Sequence, residues 1–170
     1  ALTLVAVFPL ATHLLINQSL NVDLSLPEEM HNDFAIADIA EEISFQIKKT
    51  QESFPGKVNL DFSSSQDARG MRITTELHCP LSIEEVLKIY DTHFDDHNFT
   101  YFVTYPVDIK EVVGTNRCII SLMKPDKDTL RVTAIADARL RGGAGEAVHV
   151  MNLLFGLQEC VGLQLKAARY

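Results

Sequence analysis

A glycine-rich turn near the end of the chain contains the residues best suited to bind a ligand. Gly142, Gly143 and Gly145 come directly before an apolar helical segment that begins at Glu146. Glycines permit a tight turn and close approach of another molecule, and they leave the first amides of the helix open to an anion or a cofactor edge. The alternative is that they only interrupt the chain before a core helix, because no G-x-G-x-x-G follows a strand here.

Arg69 is the charged residue that we expect to contact a ligand, because a guanidinium can hold a carboxylate or phosphate through two parallel hydrogen bonds. The alternative is a solvated arginine at the start of a strand. His149 lies beside Asn152 on the terminal helix, where a cofactor contact and a surface position are both open. His31 lies in a polar stretch and is interpreted as a surface residue.

The cysteines do not suggest chemistry of their own. Cys79, Cys118 and Cys160 are odd in number and lack C-x-x-C spacing, so neither a disulfide framework nor a zinc site is indicated. Cys118 and Cys160 are interpreted as small buried apolar residues, whereas Cys79, before a proline, could be exposed. No cysteine is predicted to be a nucleophile, and no metal site is predicted.

Several motifs resemble those of the N-acetyl-gamma-glutamyl-phosphate reductase family. Residues 141–157 read R-G-G-A-G-E-A-V-H-V-M-N-L-L-F-G-L, close to the family's K-G-A-x-G-Q-A-x-Q-N-M-N-L-x-F-G-L. Residues 67–71 resemble its M-x-R-G-I segment, and 112–118 resemble V-x-G-S-N-x-C. Residues 133–137 resemble the strand before the glycine-rich turn, and 1–10 resemble the helix after the nucleophile loop N-P-G-C-Y-x-T.

The resemblance implies the substrate and dimerisation part of an NADP-dependent reductase of arginine synthesis. In that family a cysteine thiolate attacks the substrate, NADP exchanges hydride, and a histidine acts as acid and base. Arg69 would then face the substrate pocket, and the catalytic cysteine would lie just upstream of Ala1. The implied cofactor contacts are Gly143, Gly145, Glu146 and Asn152.

The chain departs from the family pattern at several points. The family's H-R-H-x-P-E-I segment aligns with residues 37–43, where both histidines are replaced, and residues 26–34 are too few for its Ser/Gly-rich loop. Glu146 stands where the family has Gln, and its carboxylate should weaken NADP binding. We expect the chain alone to be inactive, with no catalytic residue of its own, because the nucleophile and the phosphate-binding loop are missing from it.

Two alternatives stay open at this point. One is a reductase-like dimerisation module that has lost its catalytic groups, and the other is a relative of aspartate-semialdehyde dehydrogenase. The run Met151–Leu157 favours the arginine enzyme over the latter.

Composition limits the partners. The chain has 170 residues, 46% of them hydrophobic, and a net charge of −8, which predicts one domain and argues against nucleic acid and membrane surfaces as partners. Ala1–Ile16 is almost wholly apolar, but it lacks a basic start and a cleavage site, so a buried helix is expected rather than a signal peptide or a membrane span. The start at Ala1, without Met and inside such a helix, suggests a fragment, and the three cysteines without paired spacing fit a reducing cytoplasm.

Periodicity predicts a β-α-β-β-α-β-β-β order between two apolar helices. The predicted helices are Ala1–Ile16, Phe34–Lys49, Ser82–Phe94 with a capping box to Glu85, and Glu146–Leu157. The predicted strands are Leu20–Leu26, Lys57–Phe62, Met71–His78, Phe99–Val103, Arg117–Met123 and Thr129–Ala136, with a polar loop over Ser63–Asp67 and a hairpin at Pro125–Asp128.

This order indicates an α+β fold with a predominantly antiparallel or mixed sheet and helices on one face. We expect residues 17–139 to form the substrate and dimerisation domain, with the open sheet face pairing two copies. Residues 1–16 and 140–170 are expected to be helices that pack on a nucleotide-binding half, so that both would lack part of their cover in this chain.

Overall fold

The computed structural model describes residues 1–33, 36–65 and 67–167, with side chains described outside 31–37. Its helices are α1 (Leu2–Thr12), α2 (Ile36–Thr50), α3 (Ile83–Phe94) and α4 (Gly145–Leu154). Its strands are β1 (Leu20–Pro27), β2 (Val58–Ser65), β3 (Gly70–His78), β4 (Thr100–Val103), β5 (Cys118–Met123) and β6 (Thr129–Asp137). The predicted order of strands and helices is confirmed.

The strands form one mixed sheet in the order β2-β1-β3-β6-β5-β4. The pairs β1–β2 and β4–β5 are parallel, and the other neighbours are antiparallel, with β5 and β6 forming the predicted hairpin. Along β1, Leu20, Val22 and Leu24 are buried while Asn21 and Asp23 are exposed. This alternation, which period-two side-chain placement requires, gives the sheet one apolar face under the helices and one polar face.

Helix α3 begins as its sequence predicts. The Ser82 hydroxyl accepts a hydrogen bond from the Glu85 amide, and the Glu85 carboxylate accepts one from the Ser82 amide. The predicted polar loop over Ser63–Asp67 is wrong for its first part, because β2 continues to Ser65. His31 lies within a 3₁₀ turn, Glu28–Asp33, and its side chain is outside the described residues, as is the predicted helix start at residue 34.

Helix α1 belongs to the core of the sheet domain, which corrects the expectation that its apolar face lacks cover. Ala6, Val7, Leu10 and Ala11 are fully buried in a cluster that includes side chains from the sheet, α2 and α3. The Tyr90 hydroxyl of α3 donates to the carbonyl oxygen of Ala6 at 2.6 Å. The helix is buried because its apolar residues surround it on nearly every side, so it can pack between α2, α3 and the sheet.

Helix α4 differs from α1 in this respect. It ends at Leu154, earlier than the predicted Leu157, and a set of large apolar side chains on and just after it is exposed: Val150, Met151, Leu153, Leu154, Phe155 and Leu157. We call this set the α4 apolar surface. Within the described residues, no helix is long and apolar enough to cross a membrane.

The polar face of the sheet is partly covered. A loop with a 3₁₀ turn, Ile109–Glu111, places Val107, Ile109 and Val112 on Ile119 and Ile135. The part left uncovered lies on β2, β1 and β3 and carries Asn21, Asp23, Asn59, Asp61, Arg72, Thr74 and Glu76. We call this part the polar sheet face.

Candidate functional site

The glycine-rich turn is held in place by a buried carboxylate at the end of β6. Asp137 has no exposed surface, and its Oδ1 accepts hydrogen bonds from the amides of Arg139 and Leu140, each at 2.9 Å. Its Oδ2 accepts one from the Gly114 amide at 2.8 Å. These bonds fix the chain as it leaves the sheet and enters the π-helical segment Leu140–Ala144 that leads into α4.

The predicted substrate residue Arg69 contacts the same carboxylate. Its Nη2 lies 3.1 Å from Asp137 Oδ2, and its side chain is 41% exposed. The Arg69 carbonyl oxygen also accepts a hydrogen bond from the Ala138 amide at 2.8 Å. Arg69 is therefore oriented by a buried anion while part of its guanidinium faces solvent. Binding of substrate there stays a prediction.

Gly145 has a packing role that the sequence did not indicate. A Cβ atom at this position would lie 2.3 Å from Asn116 Oδ1 and 2.9 Å from the Leu140 carbonyl oxygen, so only glycine fits. Asn116 is almost fully buried, and its amide atoms have no hydrogen-bond partner in the described part of the chain. Gly143 has non-helical backbone angles, with φ −154° and ψ −109°, and is exposed beside Gly142 and the first turn of α4. Cofactor contacts from Gly143 and Gly145 stay predictions.

Arg141 is a candidate site residue that the sequence analysis missed. Its side chain is only 13% exposed, and its Nη1 donates to Glu146 Oε2 at 2.7 Å. It lines a pocket of about 130 Å³ with residues from α1, β3, β5 and α4: Ala1, Leu2, Val5, Met71, Cys118, Gly142 and Glu146. The only sequence signal was its place at the first position of the 141–157 motif.

The predicted cofactor residue Glu146 is thus engaged within the chain. Beyond its ion pair with Arg141, its Oε1 lies 3.9 Å from His149 Nδ1. His149 is 16% exposed and packs edge-on against Phe99, with ring centroids 5.3 Å apart. Its Nε2 lies 3.5 Å from Glu159 Oε2. Of the two positions left open for His149, the structure shows a largely buried ring rather than a surface one.

Asn152 ties the segment after α4 to the helix. Its side chain is buried, and its Nδ2 donates to the carbonyl oxygens of Glu159 and Val161, at 3.0 and 2.9 Å. The Glu159 carboxyl in turn accepts a hydrogen bond from the Asn98 amide, which, with the nearby His149, holds its pKa below the usual value. The Asn152 Oδ1 is buried without a hydrogen-bond partner among the described residues, and a cofactor contact from Asn152 stays a prediction.

Cys118 lies where a nucleophile would not be activated. Burial raises the pKa of the Cys118 thiol to about 12, although Arg141 acts in the opposite direction. Cys118 is buried as predicted, Cys160 is half-buried, and Cys79 is fully buried, so the suggestion that Cys79 could be exposed is wrong.

Comparisons with known proteins identify relatives over nearly the whole chain. The family described as semialdehyde dehydrogenase, dimerisation domain, matches residues 39–138. An N-acetyl-gamma-glutamyl-phosphate reductase of Parabacteroides distasonis is 34% identical over 96% of this chain and 56% of its own length. The enzyme of that name from Christiangramia forsetii is 30% identical over 97% of this chain and 57% of its own. The chain thus spans a little over half the length of these relatives.

Solved structures show the same fold at lower identity. Aspartate semialdehyde dehydrogenase II from Vibrio cholerae superposes with a TM-score of 0.65 and 12% identity, covering 91% of this chain and 59% of that one. A probable aspartate-semialdehyde dehydrogenase from Pseudomonas aeruginosa gives a TM-score of 0.60 and 17% identity, covering 89% and 60%. At these identities the likeness concerns the fold alone.

Proposed function

Because the chain belongs to the semialdehyde dehydrogenase family and contains its dimerisation domain, we propose that it is the substrate and dimerisation part of an N-acetyl-gamma-glutamyl-phosphate reductase. In the full protein this enzyme would reduce N-acetylglutamyl phosphate to the semialdehyde with NADPH. The observation that carries the proposal is the match to reductases of this name over 96% of the chain. The aspartate-semialdehyde dehydrogenase alternative has only a shared fold to support it.

The two cavities beside the first turn of α1 support this function. Ala1 and Leu2 line the pocket with Arg141 on one side, and they also line an apolar cavity of about 210 Å³ between α1, α2 and the sheet. In the family pattern the nucleophile loop comes just before this helix, so the reacting cysteine would lie beside both cavities. Arg69 and Arg141 would then supply the positive charge that an anionic substrate requires.

The residues of the glycine-rich turn are suited to contact the nicotinamide end of a nucleotide cofactor rather than its phosphates. Gly142 and Gly143 are exposed and line a shallow surface depression with Glu146, Ala147 and the apolar residues of α4. Such a surface can contact a flat ring, whereas the Glu146 carboxylate opposes nearby phosphate groups. When bound, NADPH supplies the hydride, and this chain would help to orient its nicotinamide end. The phosphates would be held by the other half of the reductase.

We assign homo-oligomerisation to the polar sheet face. The helices leave this face bare, and the family is named for dimerisation. The α4 apolar surface is assigned to the other half of the full reductase, because an apolar surface of this extent is unusual on a protein in water. The cytoplasmic location is proposed from the cysteine usage, since the three cysteines are free in the structure.

The test is a chimera in which the amino-terminal half of the Parabacteroides distasonis relative is joined to this chain at Ala1. NADPH oxidation should occur with N-acetylglutamyl phosphate and not with aspartyl phosphate, and the chain alone should give neither. Arg69→Gln in the chimera should raise KM for the acyl phosphate about tenfold or more. A folded chimera without turnover would support the degenerate dimerisation module, and turnover of aspartyl phosphate would support the alternative enzyme.

A further inference from the structure

Two carboxylates lie side by side on the polar sheet face. Asp23 on β1 and Asp61 on β2 are opposite each other in the parallel register, and both residues are exposed. Neither carboxylate has a hydrogen bond or an ion pair with a residue that the structure describes, and like charges opposite each other on neighbouring strands repel. A second copy that covers this face would remove water from both carboxylates, and an unpaired buried charge is strongly destabilising. The second copy must therefore supply a cation at this point.

Arg72 on β3 is the cation available for this role. It is exposed, and it is the only basic residue in the polar sheet face as defined above. Its guanidinium has one hydrogen bond to a described residue, from Nη2 to the Val107 carbonyl oxygen at 3.4 Å. Arg131 on β6 is already used, because its Nε lies 2.6 Å from the carboxylate of Glu76. A guanidinium has five N–H donors, so a single arginine can bind two neighbouring carboxylates.

Symmetry determines how these charges can meet. In a two-fold dimer every contact is reciprocal, so a residue that meets a second residue of the other copy is itself met by that residue's equivalent. The antiparallel register places Arg72 beside Ser25, one row along the face from Asp23, at a diagonal distance of about 7–8 Å. We propose that Arg72 of each copy binds Asp23 and Asp61 of the other copy. The symmetry axis then passes between Arg72 and Asp23, close to Thr74.

This inference rests on the proposed dimerisation through the polar sheet face, and it adds the contact that sets the register of the two copies. The alternative is a pair within one chain, in which Arg72 turns from the Val107 carbonyl to its own Asp23. Neutralising either residue removes only a weak attraction, because exposed ion pairs contribute little. Charge reversal is the sharper probe, since it places like charges against each other at two symmetric positions.

The experiment measures the dimer dissociation constant by analytical ultracentrifugation for Asp23→Arg, for Arg72→Asp and for an equimolar mixture of the two. Each variant alone should dimerise at least about tenfold more weakly than the unmodified chain, with the larger loss in Arg72→Asp, whose new carboxylate also meets Asp61. In the mixture opposite charges meet again across the interface, so a heterodimer should form at least about tenfold more tightly than either homodimer. The matched controls Glu41→Arg and Lys48→Asp, exposed on α2, should leave the dissociation constant unchanged.

The outcomes separate this inference from the dimerisation on which it rests. A dimer that tolerates both reversals would overturn the Arg72 contact and leave dimerisation intact. Two weakened variants that do not associate when mixed would place the pair within one chain and would also overturn it. An unmodified chain that is monomeric at every concentration would reject the proposed dimerisation, and this contact with it. If circular dichroism shows that Asp23→Arg does not fold, Asp61→Arg mixed with Arg72→Asp gives the same test.

Discussion

Asp137 shows how one buried carboxylate can position a whole site. Its two oxygens accept backbone hydrogen bonds from Gly114, Arg139 and Leu140 and form an ion pair with Arg69. The loop on the polar side of the sheet, the start of β3 and the glycine-rich turn are thereby held at one point. The geometry of Arg69 and of the turn before α4 consequently depends on a residue that contacts neither proposed ligand.

We expect Asp137→Asn to destabilise the fold by on the order of 3 kcal/mol, because the amide nitrogen would face the Gly114 amide and Arg69, where an acceptor is needed. Urea denaturation measures the change. Asp23→Asn, at an exposed position on the polar sheet face, is the matched control and should change the free energy of unfolding by less than about 0.5 kcal/mol. Equal stability of the two variants would show that Asp137 does not have this role.

Gly145 and Gly142 give a second comparison at the same scale. Gly145→Ala should lower the free energy of unfolding, measured by urea denaturation, by about 1–3 kcal/mol. The reason is that its Cβ would lie 2.3 Å from Asn116 Oδ1 and 2.9 Å from the Leu140 carbonyl oxygen. Gly142→Ala meets its nearest atom, Met71 Cε, only at 3.4 Å and should be nearly neutral. Adding Asn116→Ala to Gly145→Ala should recover part of the loss. If Gly145→Ala has the same free energy of unfolding as the unmodified chain, the close contact is disproved.

At the scale of the elements, the packing of α1 separates what the sequence could predict from what it could not. Period-two alternation predicted β1, β-branched and aromatic residues predicted β4, β5 and β6, and the Ser82–Glu85 pair predicted the start of α3, because all of these are local signals. The sequence predicted a buried helix here, but the expectation that α1 packs on another half was wrong, because the family resemblance assigned the helix to that half and the structure packs it in the core of this chain. Its true neighbours are residues such as Tyr90, distant in sequence, that only the folded chain brings to it.

The same limit applies to the site. The segment from Gly142 to Asn152 was identified from sequence, yet the pocket beside it is assembled from α1, β3, β5 and α4, which no local pattern connects. The parallel pairing of β1 with β2 likewise follows from the path of α2 across the sheet rather than from the composition of either strand.

A cluster of histidines at the junction of α1 and α3 predicts a dependence of stability on pH. His93 packs near Phe8 and Phe94 and stacks with His97 at 6.3 Å between ring centroids. Burial, followed by the nearby His97 and His13, lowers its pKa below the ordinary 6.5. The unfolded chain therefore binds the proton more readily than the folded chain does. The contribution of neutral His93 to the stability of the fold is complete above about pH 6.5, and it is lost as the pH falls through the lowered pKa of His93.

Urea midpoints between about pH 7.5 and pH 5.5 measure this effect. The loss of stability on acidification should be smaller in His93→Gln than in the unmodified chain. His78→Gln, at an exposed position on β3, should retain the full dependence. If His93→Gln and the unmodified chain lose stability in parallel, His93 does not carry the dependence.

At the scale of the whole molecule, the chain has two bare surfaces of opposite character. The polar sheet face carries paired side chains such as Asn21 and Asn59, whose amides are hydrogen-bonded at 2.9 Å, and the parallel register places Asp23 beside Asp61. The α4 apolar surface includes Leu154 and Phe155, which are 79% and 76% exposed. We assign the symmetric contact to the polar sheet face, and we assign the α4 apolar surface to the other half of the proposed reductase.

Two single substitutions test which surface forms the dimer. Thr74 lies on β3 within the polar sheet face, paired with Asp23 on β1. In a symmetric dimer both copies would carry a new charge at this position, so a single substitution places two like charges in the interface. Thr74→Arg should therefore shift the chain from dimer to monomer in light scattering at micromolar concentration, and circular dichroism should show the fold unchanged.

Leu154→Arg on the α4 apolar surface should leave the dimer intact but reduce the activity of the chimeric reductase, because it places a charge in the contact between the two halves. A dimer that dissociates in Leu154→Arg and persists in Thr74→Arg would reverse the assignment, and the copies would then pair through their apolar helices.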